Sequence, residues 1–278
     1  MDKNILRKSI RHFLQEDIGR GDLTSESIFD DTTWGQARLV ARQPCVAAGV
    51  SVVASEVFHV QNKDITCSGA VADGADVEPG GVLLTVGGPV LDMLKSERIA
   101  LNLLQRLCAI ATLTREFVKR VSDYPVRITD TRKTTPGLRM LEKYAVRVGG
   151  GFNHRFNLTD GVLIKDNHIS ACGSISEAVS RVRLKAPHTL RIEVETETLE
   201  QVHECLGCGV DIIMLDNMDL EAMGQAVRLI NGRAQVEASG GVNLDMVENI
   251  AKTGVDIISV GALTHSVKAC DIGMDWVE

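Results

Sequence analysis

The sequence predicts an α/β protein whose larger part is a (β/α) barrel, complete or open. From residue 126 onward, six short runs of β-branched and aliphatic residues alternate with helical stretches. Such alternation is typical of parallel strands joined by crossover helices. Successive units are spaced by about 21 to 35 residues, which suits a barrel. No G-x-G-x-x-G follows a first strand, so an open doubly wound sheet is the weaker alternative.

The predicted strands end in polar residues or glycine, and the segments between them are predicted to be helices. The strands are 126–130, 161–165, 190–195, 211–216, 235–239 and 256–260. Asp219 and Asn243 are expected to cap helix N-termini, because their side chains accept hydrogen bonds from first-turn N–H groups. Gly209 and Gly254 are expected to end helices, since glycine adopts the left-handed conformation at low cost.

Residues 1–108 have a different character and predict a separate domain. An amphipathic helix opens it, and strand-like segments follow in WGQARLVAR, CVAAGV and VLLTVGG. A long helical stretch begins near Val90, with an interruption expected near Leu107. We therefore expect a first domain over 1–108 and a barrel domain over 109–267. The C-terminal tail, 268–278, is expected to return to the first domain.

Composition and charge exclude several classes of protein. The 278 residues suffice for a barrel plus a smaller domain. A net charge of −7 argues against nonspecific binding of nucleic acid. No apolar run reaches the roughly 18 residues of a membrane span, and the charged N-terminal segment favours a cytoplasmic protein. The seven scattered cysteines favour reduced thiols, and the C-x-x-C at Cys205 and Cys208 is interpreted as structural.

Charged side chains gather where the predicted strands end. In a barrel, these ends and the loops after them build the active site. The residues there are Asp130, Thr131, Arg132, Lys133, Lys165, Glu193, Glu195, Asp216 and Asn217, with His154 and Arg155 just before the second strand. Residues 130–168 hold seven Lys/Arg and four Asp/Glu in a chain of net charge −7. A cationic patch on an anionic protein attracts small anions, and arginine binds carboxylates at two points.

Two glycine-containing segments follow the last two strands, Ser239-Gly240-Gly241 and Val260-Gly261-Ala262. Barrels often bind phosphate at this place through backbone N–H groups and a helix N-terminus. Ordinary turn glycine is the alternative. Together with the cations, these segments predict an enzyme that acts on a phosphosugar and a second anionic substrate.

Seven blocks of the sequence carry a family resemblance. They are EDIGRGDLT, SERIALNLLQRLCAIATLT, DTRKTTPGLRMLEKYAVRVGGGFNHR, LTDGVLIKDNHI, DIIMLDN, EASGGV and ISVGALTHS. In order and spacing, from about residue 16 to 267, they resemble the quinolinate phosphoribosyltransferase family, also called nicotinate-nucleotide pyrophosphorylase (carboxylating).

The resemblance implies an enzyme of de novo NAD biosynthesis, a pentosyltransferase that requires Mg²⁺. Such an enzyme joins quinolinate to phosphoribosyl pyrophosphate (PRPP) and forms nicotinate mononucleotide, CO₂ and pyrophosphate. The implied fold is an N-terminal α/β sandwich domain followed by an open, incomplete (β/α) barrel. The implied assembly is a homodimer or larger homo-oligomer in which each active site is completed by the neighbouring chain.

The resemblance also implies roles for individual residues. Thr131, Arg132, His154, Arg155 and Lys165 would bind the quinolinate carboxylates, with Arg98 reaching in from the partner chain. Lys133, Glu195 and Asp216 would face PRPP, and these three with Lys165 form the expected catalytic set. Residues 239–241 and 260–262 would hold the 5-phosphate, and Mg²⁺ would arrive on PRPP without a direct protein ligand. Glu195 is preferred over Glu193 by the family spacing from Lys165, and the role of His168 stays open.

Two other functions remain as alternatives. A related pentosyltransferase with a different acceptor (ModD-like) would lack or alter parts of the RKTTPG…HR…LIKDNH set, which this chain carries whole. A non-catalytic phosphosugar-binding barrel would keep the glycine segments but would not need Lys165, Glu195 and Asp216.

Overall fold

The structure is a computed structural model, and it describes residues 1–277, so that Glu278 lies outside the described residues. In chain order the elements are α1 (Lys3–Ile18), α2 (Leu23–Ile28), β1 (Trp34–Ala41), β2 (Cys45–Val46), a π-helical turn (Val50–Ala54), α3 (Ser55–Gln61), β3 (Thr66–Ser68), β4 (Asp76–Val77), β5 (Val82–Pro89), α4 (Val90–Arg120), β6 (Arg127–Thr129), α5 (Arg139–Val148), β7 (Val162–Ile164), α6 (Asp166–Cys172), α7 (Ile175–Arg183), β8 (Ile192–Thr196), α8 (Leu199–Cys208), β9 (Ile212–Asp216), α9 (Leu220–Ile230), β10 (Gln235–Ser239), α10 (Val247–Lys252), β11 (Ile257–Ser259), α11 (Ala262–His265) and β12 (Ile272–Trp276).

The chain forms two compact units. The first contains residues 1–115, 135–150 and 267 onward, and the second contains 116–134 and 151–266. The first unit has a four-stranded antiparallel sheet in the order β12-β1-β5-β3. The C-terminal strand β12 pairs with β1. Helix α1 buries one face through Leu6, Ile10 and Leu14, which recur at the four-residue spacing of an amphipathic helix.

Helix α4 is continuous over 31 residues. The interruption expected near Leu107 is therefore wrong. The segment contains no glycine or proline, and its apolar face continues through this point, since Leu104, Leu107 and Ala111 are all buried at helical spacing.

The second unit is built on a six-stranded parallel sheet in the order β6-β11-β10-β9-β8-β7. Strands β6 and β7 are the two ends of this order, as in an open barrel. The predicted α/β fold with an open barrel is confirmed. Each of the six predicted strands is present, with bounds that differ by at most two residues. Helix α6 was not predicted.

Helix caps follow the sequence with one exception. Asp219 caps α9 by accepting a hydrogen bond from the Ala222 N–H, and Gly209 ends α8 at a φ of 62°. The prediction for Asn243 is wrong, because α10 begins only at Val247. Asn243 Oδ1 instead accepts hydrogen bonds from the N–H groups of Asp245 and Met246, at 3.0 and 3.2 Å, and so caps the turn before the helix.

The register of the parallel strands decides which side chains face the barrel interior. Glu195 pairs with Met214, and Met214 pairs with Glu237. Two residues further along both strands, Asp216 of β9 pairs with Ser239 of β10. Paired residues of neighbouring strands face the same side, and the residues between them face the other. Those others, Val194, Ile213, Leu215, Ala238 and Ile258, are fully buried and form the aliphatic layer.

Two further observations concern the whole described chain. Among residues 1–277, no helix combines the length and the apolar character needed to cross a bilayer. All seven cysteines are free thiols, and four of them, Cys45, Cys108, Cys205 and Cys270, are buried.

A substitution at Gly149 tests the packing of the first unit. A Cβ there would lie 2.5 Å from the Ala111 carbonyl oxygen and 2.6 Å from Thr114 Cβ. We expect Gly149→Ala to lower the free energy of unfolding by about 2–4 kcal/mol, because a backbone carbonyl cannot move aside cheaply. Gly207→Ala is the matched control. It sits within α8 with open space around its Cβ, and should raise stability by about 0.5–1 kcal/mol. Equal midpoints in denaturant for the two variants would contradict this packing.

Candidate active site

One cavity in the second unit, of about 410 Å³, brings most of the predicted site residues together. Its predicted members are Thr131, Arg132, Lys133, His154, Arg155, Lys165, Glu195, Asp216, Ser239, Gly240 and Gly241. Leu163, Met214, Asn217, Glu237 and Ser259 complete the lining. These residues lie at or just after the carboxyl ends of the parallel strands. The cavity thus occupies the position where barrel enzymes hold their substrates.

Four predicted residues do not line this cavity. Arg98 is exposed on α4, in the first unit. Val260, Gly261 and Ala262 follow β11, and the Val260 N–H donates to the Thr129 carbonyl oxygen at 2.9 Å. A Cβ on Gly261 would lie 3.2 Å from Lys133 Cδ. This segment therefore backs the Lys133 side chain rather than the cavity itself.

The turn that carries Arg132 and Lys133 is held at several points. The Lys133 N–H donates to Thr131 Oγ1 at 3.0 Å, and the Thr134 N–H donates to the Arg132 carbonyl oxygen at 2.9 Å. Thr264 Oγ1 donates to the Lys133 carbonyl oxygen at 2.8 Å. Adjacent cations in a free surface turn would be mobile. Here the backbone that carries them is fixed.

Asp130 connects this turn to the segment that carries His154 and Arg155. Its carboxylate is fully buried and accepts hydrogen bonds from Asn153 Nδ2, at 2.6 Å, and from the His154 N–H, at 2.9 Å. A buried carboxylate is tolerated where donors satisfy its oxygens. Asp130 therefore fixes the position of His154 relative to the end of β6.

Arg132 and Arg155 form a pair of neighbouring cations in the cavity. Burial, and next the charge of Arg132, lower the pKa of Arg155, while Glu193 acts in the opposite direction. Arg155 Nη1 donates to the Gly161 carbonyl oxygen at 2.9 Å. Its Nε is buried and, within residues 1–277, has no hydrogen-bond partner. A buried donor beside a second guanidinium is the arrangement that an anion would satisfy.

Lys165 and Glu195 form an ion pair at the cavity wall. Lys165 Nζ lies 2.8 Å from Glu195 Oε2, with the lysine side chain 44% exposed and the glutamate side chain 13% exposed. His168 Nδ1 accepts the Lys165 N–H at 2.9 Å at the start of α6. In this structure His168 therefore fixes the backbone at Lys165. Glu193 lies two residues deeper on β8 and is only 4% exposed.

The rim at β9 and β10 depends on close backbone packing. Asn217 has a φ of 54° and its N–H donates to the Ser239 carbonyl oxygen at 3.0 Å. Gly240 has a φ of 96°, and a Cβ there would collide with the Asn217 side chain and backbone. Gly241, with a φ of 58°, has open space at its Cβ position. Only glycine fits at 240, and the backbone at 241 is accessible to a ligand.

Asp130, Asn217 and Glu237 are among the residues of this site that were not assigned roles from the sequence. Glu237 is 2% exposed, and burial, with the nearby charge of Glu193, raises its pKa to about 7. It could have been found from strand periodicity, because it lies two residues before Ser239 on β10. Asn217 follows Asp216 directly, and its positive φ has no signal in the sequence beyond the tolerance of asparagine for this conformation.

Comparisons with protein families and with known proteins point to one family over most of the chain. A family model described as "Quinolinate phosphoribosyl transferase, C-terminal domain" matches residues 110–275, and one described as "Quinolinate phosphoribosyl transferase, N-terminal domain" matches residues 22–108. A Bacillus subtilis protein named probable nicotinate-nucleotide pyrophosphorylase (carboxylating) is 48% identical over 270 residues, covering 97% of this chain and 93% of that protein. The Mycobacterium leprae protein named nicotinate-nucleotide pyrophosphorylase (carboxylating) is 44% identical, and the match covers 97% of this chain and 96% of that protein.

The fold is also similar to solved structures. The crystal structure of NadC from Streptococcus pyogenes has a TM-score of 0.94 at 39% identity and covers 100% of this chain and 99% of that one. The nicotinate-nucleotide pyrophosphorylase from Francisella tularensis has a TM-score of 0.92 at 36% identity, covering 100% and 98%.

Replacing Asp130 tests whether the buried carboxylate holds the site together. We expect Asp130→Ala to lower the free energy of unfolding by about 2–4 kcal/mol, since the Asn153 amide and the His154 N–H would lose their acceptor. Asp31→Ala, at an exposed aspartate, is the control and should change stability by less than about 0.5 kcal/mol. The check is denaturant unfolding of both variants, and a loss below 1 kcal/mol for Asp130→Ala would refute the role.

Proposed function

The chain belongs to the quinolinate phosphoribosyltransferase family, and we propose that it transfers the phosphoribosyl group of PRPP to quinolinate with loss of CO₂. The products are nicotinate mononucleotide, CO₂ and pyrophosphate. Relatives that match over 97% of this chain carry names for carboxylating nicotinate-nucleotide pyrophosphorylases. This favours quinolinate over another acceptor.

The observation that carries the proposal is the cation pair Arg132 and Arg155 in a cavity with a glycine rim. Quinolinate has two adjacent carboxylates, and each repels the other. Two guanidinium groups held close together repel each other in the same way, so binding the dicarboxylate relieves both repulsions. The buried Arg155 Nε, without a protein partner among residues 1–277, supplies a donor that a carboxylate oxygen would accept.

PRPP would occupy the part of the cavity nearest β8, β9 and β10. The accessible backbone at Gly241 and the tight turn at Gly240 suit a 5-phosphate, with residues 260–262 supporting Lys133 from behind. Lys133 would contact the diphosphate as a point charge. Glu195 and Asp216 stand at successive levels of the barrel interior, facing the position of the ribose ring.

The reaction would proceed through positioning and electrostatic stabilisation. The bond between the ribose C1 and the diphosphate oxygen breaks, and carboxylates at Glu195 and Asp216 stabilise positive charge that develops at C1. The pyridine nitrogen then forms the new bond to C1. The ring nitrogen becomes cationic, so the bond from C2 to its carboxylate breaks with the electron pair left on C2. A proton taken up at C2 completes the product.

Mg²⁺ belongs to this proposal as a companion of PRPP. Oxygen donors are the ligands that Mg²⁺ prefers, and it keeps several waters while bound mainly to substrate phosphates. The half-buried carboxylates of the cavity, Glu195 and Asp216, fit a hydrated ion of this kind without being direct ligands. The ion would offset the negative charge of the diphosphate.

A homodimer or larger homo-oligomer is also proposed. Arg98 lies in the block SERIALN and is exposed on α4. An exposed guanidinium at this place supports a role in the partner's site, where it would add a further cation for the quinolinate carboxylates.

The reaction can be tested with quinolinate labelled in its 2-carboxylate. We expect labelled CO₂ and nicotinate mononucleotide to appear in equal amounts when PRPP and Mg²⁺ are present. Chelation of Mg²⁺ should abolish both products, and added Mg²⁺ should restore them. A nucleotide product formed without release of CO₂ would point to another acceptor. Faster turnover of a different pyridine acid than of quinolinate would do the same.

Arg132 is the residue whose loss should affect quinolinate most directly. We expect Arg132→Ala to lower kcat/KM for quinolinate by two to three decades, about 3–4 kcal/mol, because a charge-assisted pair in a buried site is lost. Arg132→Lys should recover only part of this loss, since an ammonium group cannot bind a carboxylate at two points. Arg181→Ala, at an exposed arginine of α7, is the matched control. Wild-type kinetics in Arg132→Ala would remove Arg132 from the binding site.

A further inference from the structure

Two carboxylates and a histidine meet inside the barrel, where His154 and Glu237 line the cavity and Glu193 lies beside His154. Glu193 projects from β8 and Glu237 from β10, with relative exposures of 4% and 2%. His154 Nε2 lies 3.1 Å from Glu193 Oε2 and 3.5 Å from Glu237 Oε1. Within residues 1–277, the buried atoms Glu193 Oε1 and Glu237 Oε1 have no hydrogen-bond partner. The roles proposed above leave both glutamates without an assignment.

The hydrogen bonds of the ring determine where His154 carries its proton. His154 Nδ1 accepts the N–H of Arg155 at 2.8 Å, so Nδ1 has its lone pair available and is not protonated. The ring proton therefore lies on Nε2, the nitrogen that faces the two glutamates. One N–H cannot neutralise two buried carboxylates, because it donates mainly to the nearer one, Glu193.

The charges of Glu193, Glu237 and His154 limit how many protons these three side chains carry. Two ionised carboxylates at these buried positions would repel each other at high cost. The groups that face Glu237 are Glu193 from β8, His154 from the loop before β7 and Ser259 from β11. Burial, followed by the charge of Glu193, raises the pKa of Glu237 to about 7, while His154 and Ser259 act in the opposite direction. Below this pH, one proton belongs to the pair.

A metal ion is the competing way to neutralise the cluster. The ligand atoms of His154, Glu193 and Glu237 lie within 4.8 Å of one another, close enough for one ion. A metal on Nε2 would need the lone pair of that nitrogen, and the neutral ring would then carry its proton on Nδ1. That proton would point at the Arg155 N–H, which is a donor. The hydrogen bond at Nδ1 therefore favours a shared proton over a metal.

We propose that Glu193 and Glu237 share one proton and act as positioning residues for quinolinate. Glu193 accepts the Nε2–H of His154, with Glu237 close to the same nitrogen. His154 Nδ1 in turn accepts the N–H of Arg155, whose guanidinium binds the substrate. The inference rests on the proposed function. On this proposal, the protonation state of the two glutamates determines how strongly the site binds a dicarboxylate.

The proposal predicts how quinolinate binding depends on pH. When the shared proton is lost, a second negative charge appears in the cavity that Arg155 and Glu237 both line, and it opposes binding of the dicarboxylate. Both carboxyl groups of quinolinate are already ionised at neutral pH, so its own charge stays constant. The quinolinate KM of the wild type, measured at saturating PRPP, should rise about tenfold between pH 6.5 and 8.5.

The decisive variant is Glu237→Gln, which keeps the shape of the protonated acid and cannot ionise. We expect its ratio of quinolinate KM at pH 8.5 to that at pH 6.5 to fall below about 2. Glu193→Gln should lower the ratio only in part, because burial, the larger cause of the raised pKa of Glu237, remains when the charge of Glu193 is gone. The KM for PRPP should keep its wild-type pH dependence in both variants. Glu116→Gln, at an exposed glutamate of α4, should keep the wild-type ratio.

Several results would overturn the inference. A wild-type quinolinate KM that does not change between pH 6.5 and 8.5 would do so, as would a ratio in Glu237→Gln equal to the wild-type ratio. Parallel changes in the KM for PRPP would indicate a general structural role. Stoichiometric transition metal in the purified wild type, absent from Glu237→Gln, would replace the shared proton by a metal. If the wild type forms no nicotinate mononucleotide, the proposed function fails instead, so the two failures are separable.

Folding of the variants is checked independently by thermal unfolding at pH 8.5. In the wild type, an acid with a raised folded-state pKa destabilises the fold once pH exceeds its unfolded value, and this penalty is complete above pH 7. Glu237→Gln removes the penalty, so its Tm at pH 8.5 should exceed that of the wild type. A lower Tm would show that Glu237 stabilises the fold while ionised, contrary to the proposal.

Discussion

Electrostatic repulsion between Arg132 and Arg155 is the constraint on which the rest of the site depends. Two guanidinium groups that converge in a partly buried cavity raise the free energy of the empty site. Burial first, and the charge of Arg132 second, lower the pKa of Arg155. The protein must therefore fix both residues from outside the pair. Asp130 accepts a hydrogen bond from the His154 N–H, next to Arg155, and Thr264 Oγ1 donates to the Lys133 carbonyl oxygen, next to Arg132. Rigid cations lose little conformational entropy when an anion binds.

Buried carboxylates balance these cations, and their placement follows from strand geometry. Glu193 and Glu195 lie on one strand with the spacing of two that sends both side chains into the barrel. They nevertheless have different surroundings. Glu195 reaches the cavity wall and pairs with Lys165, whereas Glu193 lies one level deeper beside His154 and Glu237. Glu195 thus faces the substrate, whereas Glu193 contacts His154, a residue that lines the cavity.

The sequence was sufficient for the fold of the second unit because its strand signals are local. Runs such as 256–260 combine β-branched residues with a following glycine, and the parallel order follows from the helices between the strands. Other features depend on contacts between distant segments. The continuity of α4 through Leu107 and the partnership of His154 with Glu237 are of this kind. Asn243 shows the limit within a single segment, since its side chain caps a turn and a helix start equally well.

The cations and the glutamates of the site lie on different kinds of structure, and this division has a physical reason. Arg132, Lys133 and Arg155 lie on connecting segments, where long side chains can reach the cavity from its rim. Glu193, Glu195 and Glu237 lie on strands, where the hydrogen-bond ladder fixes each Cα. A buried carboxylate tolerates little displacement, because each lost hydrogen bond or cation exposes its full desolvation cost. A rigid sheet meets that demand, whereas a loop anchored at Asp130 suffices for a cation whose final partner is the substrate.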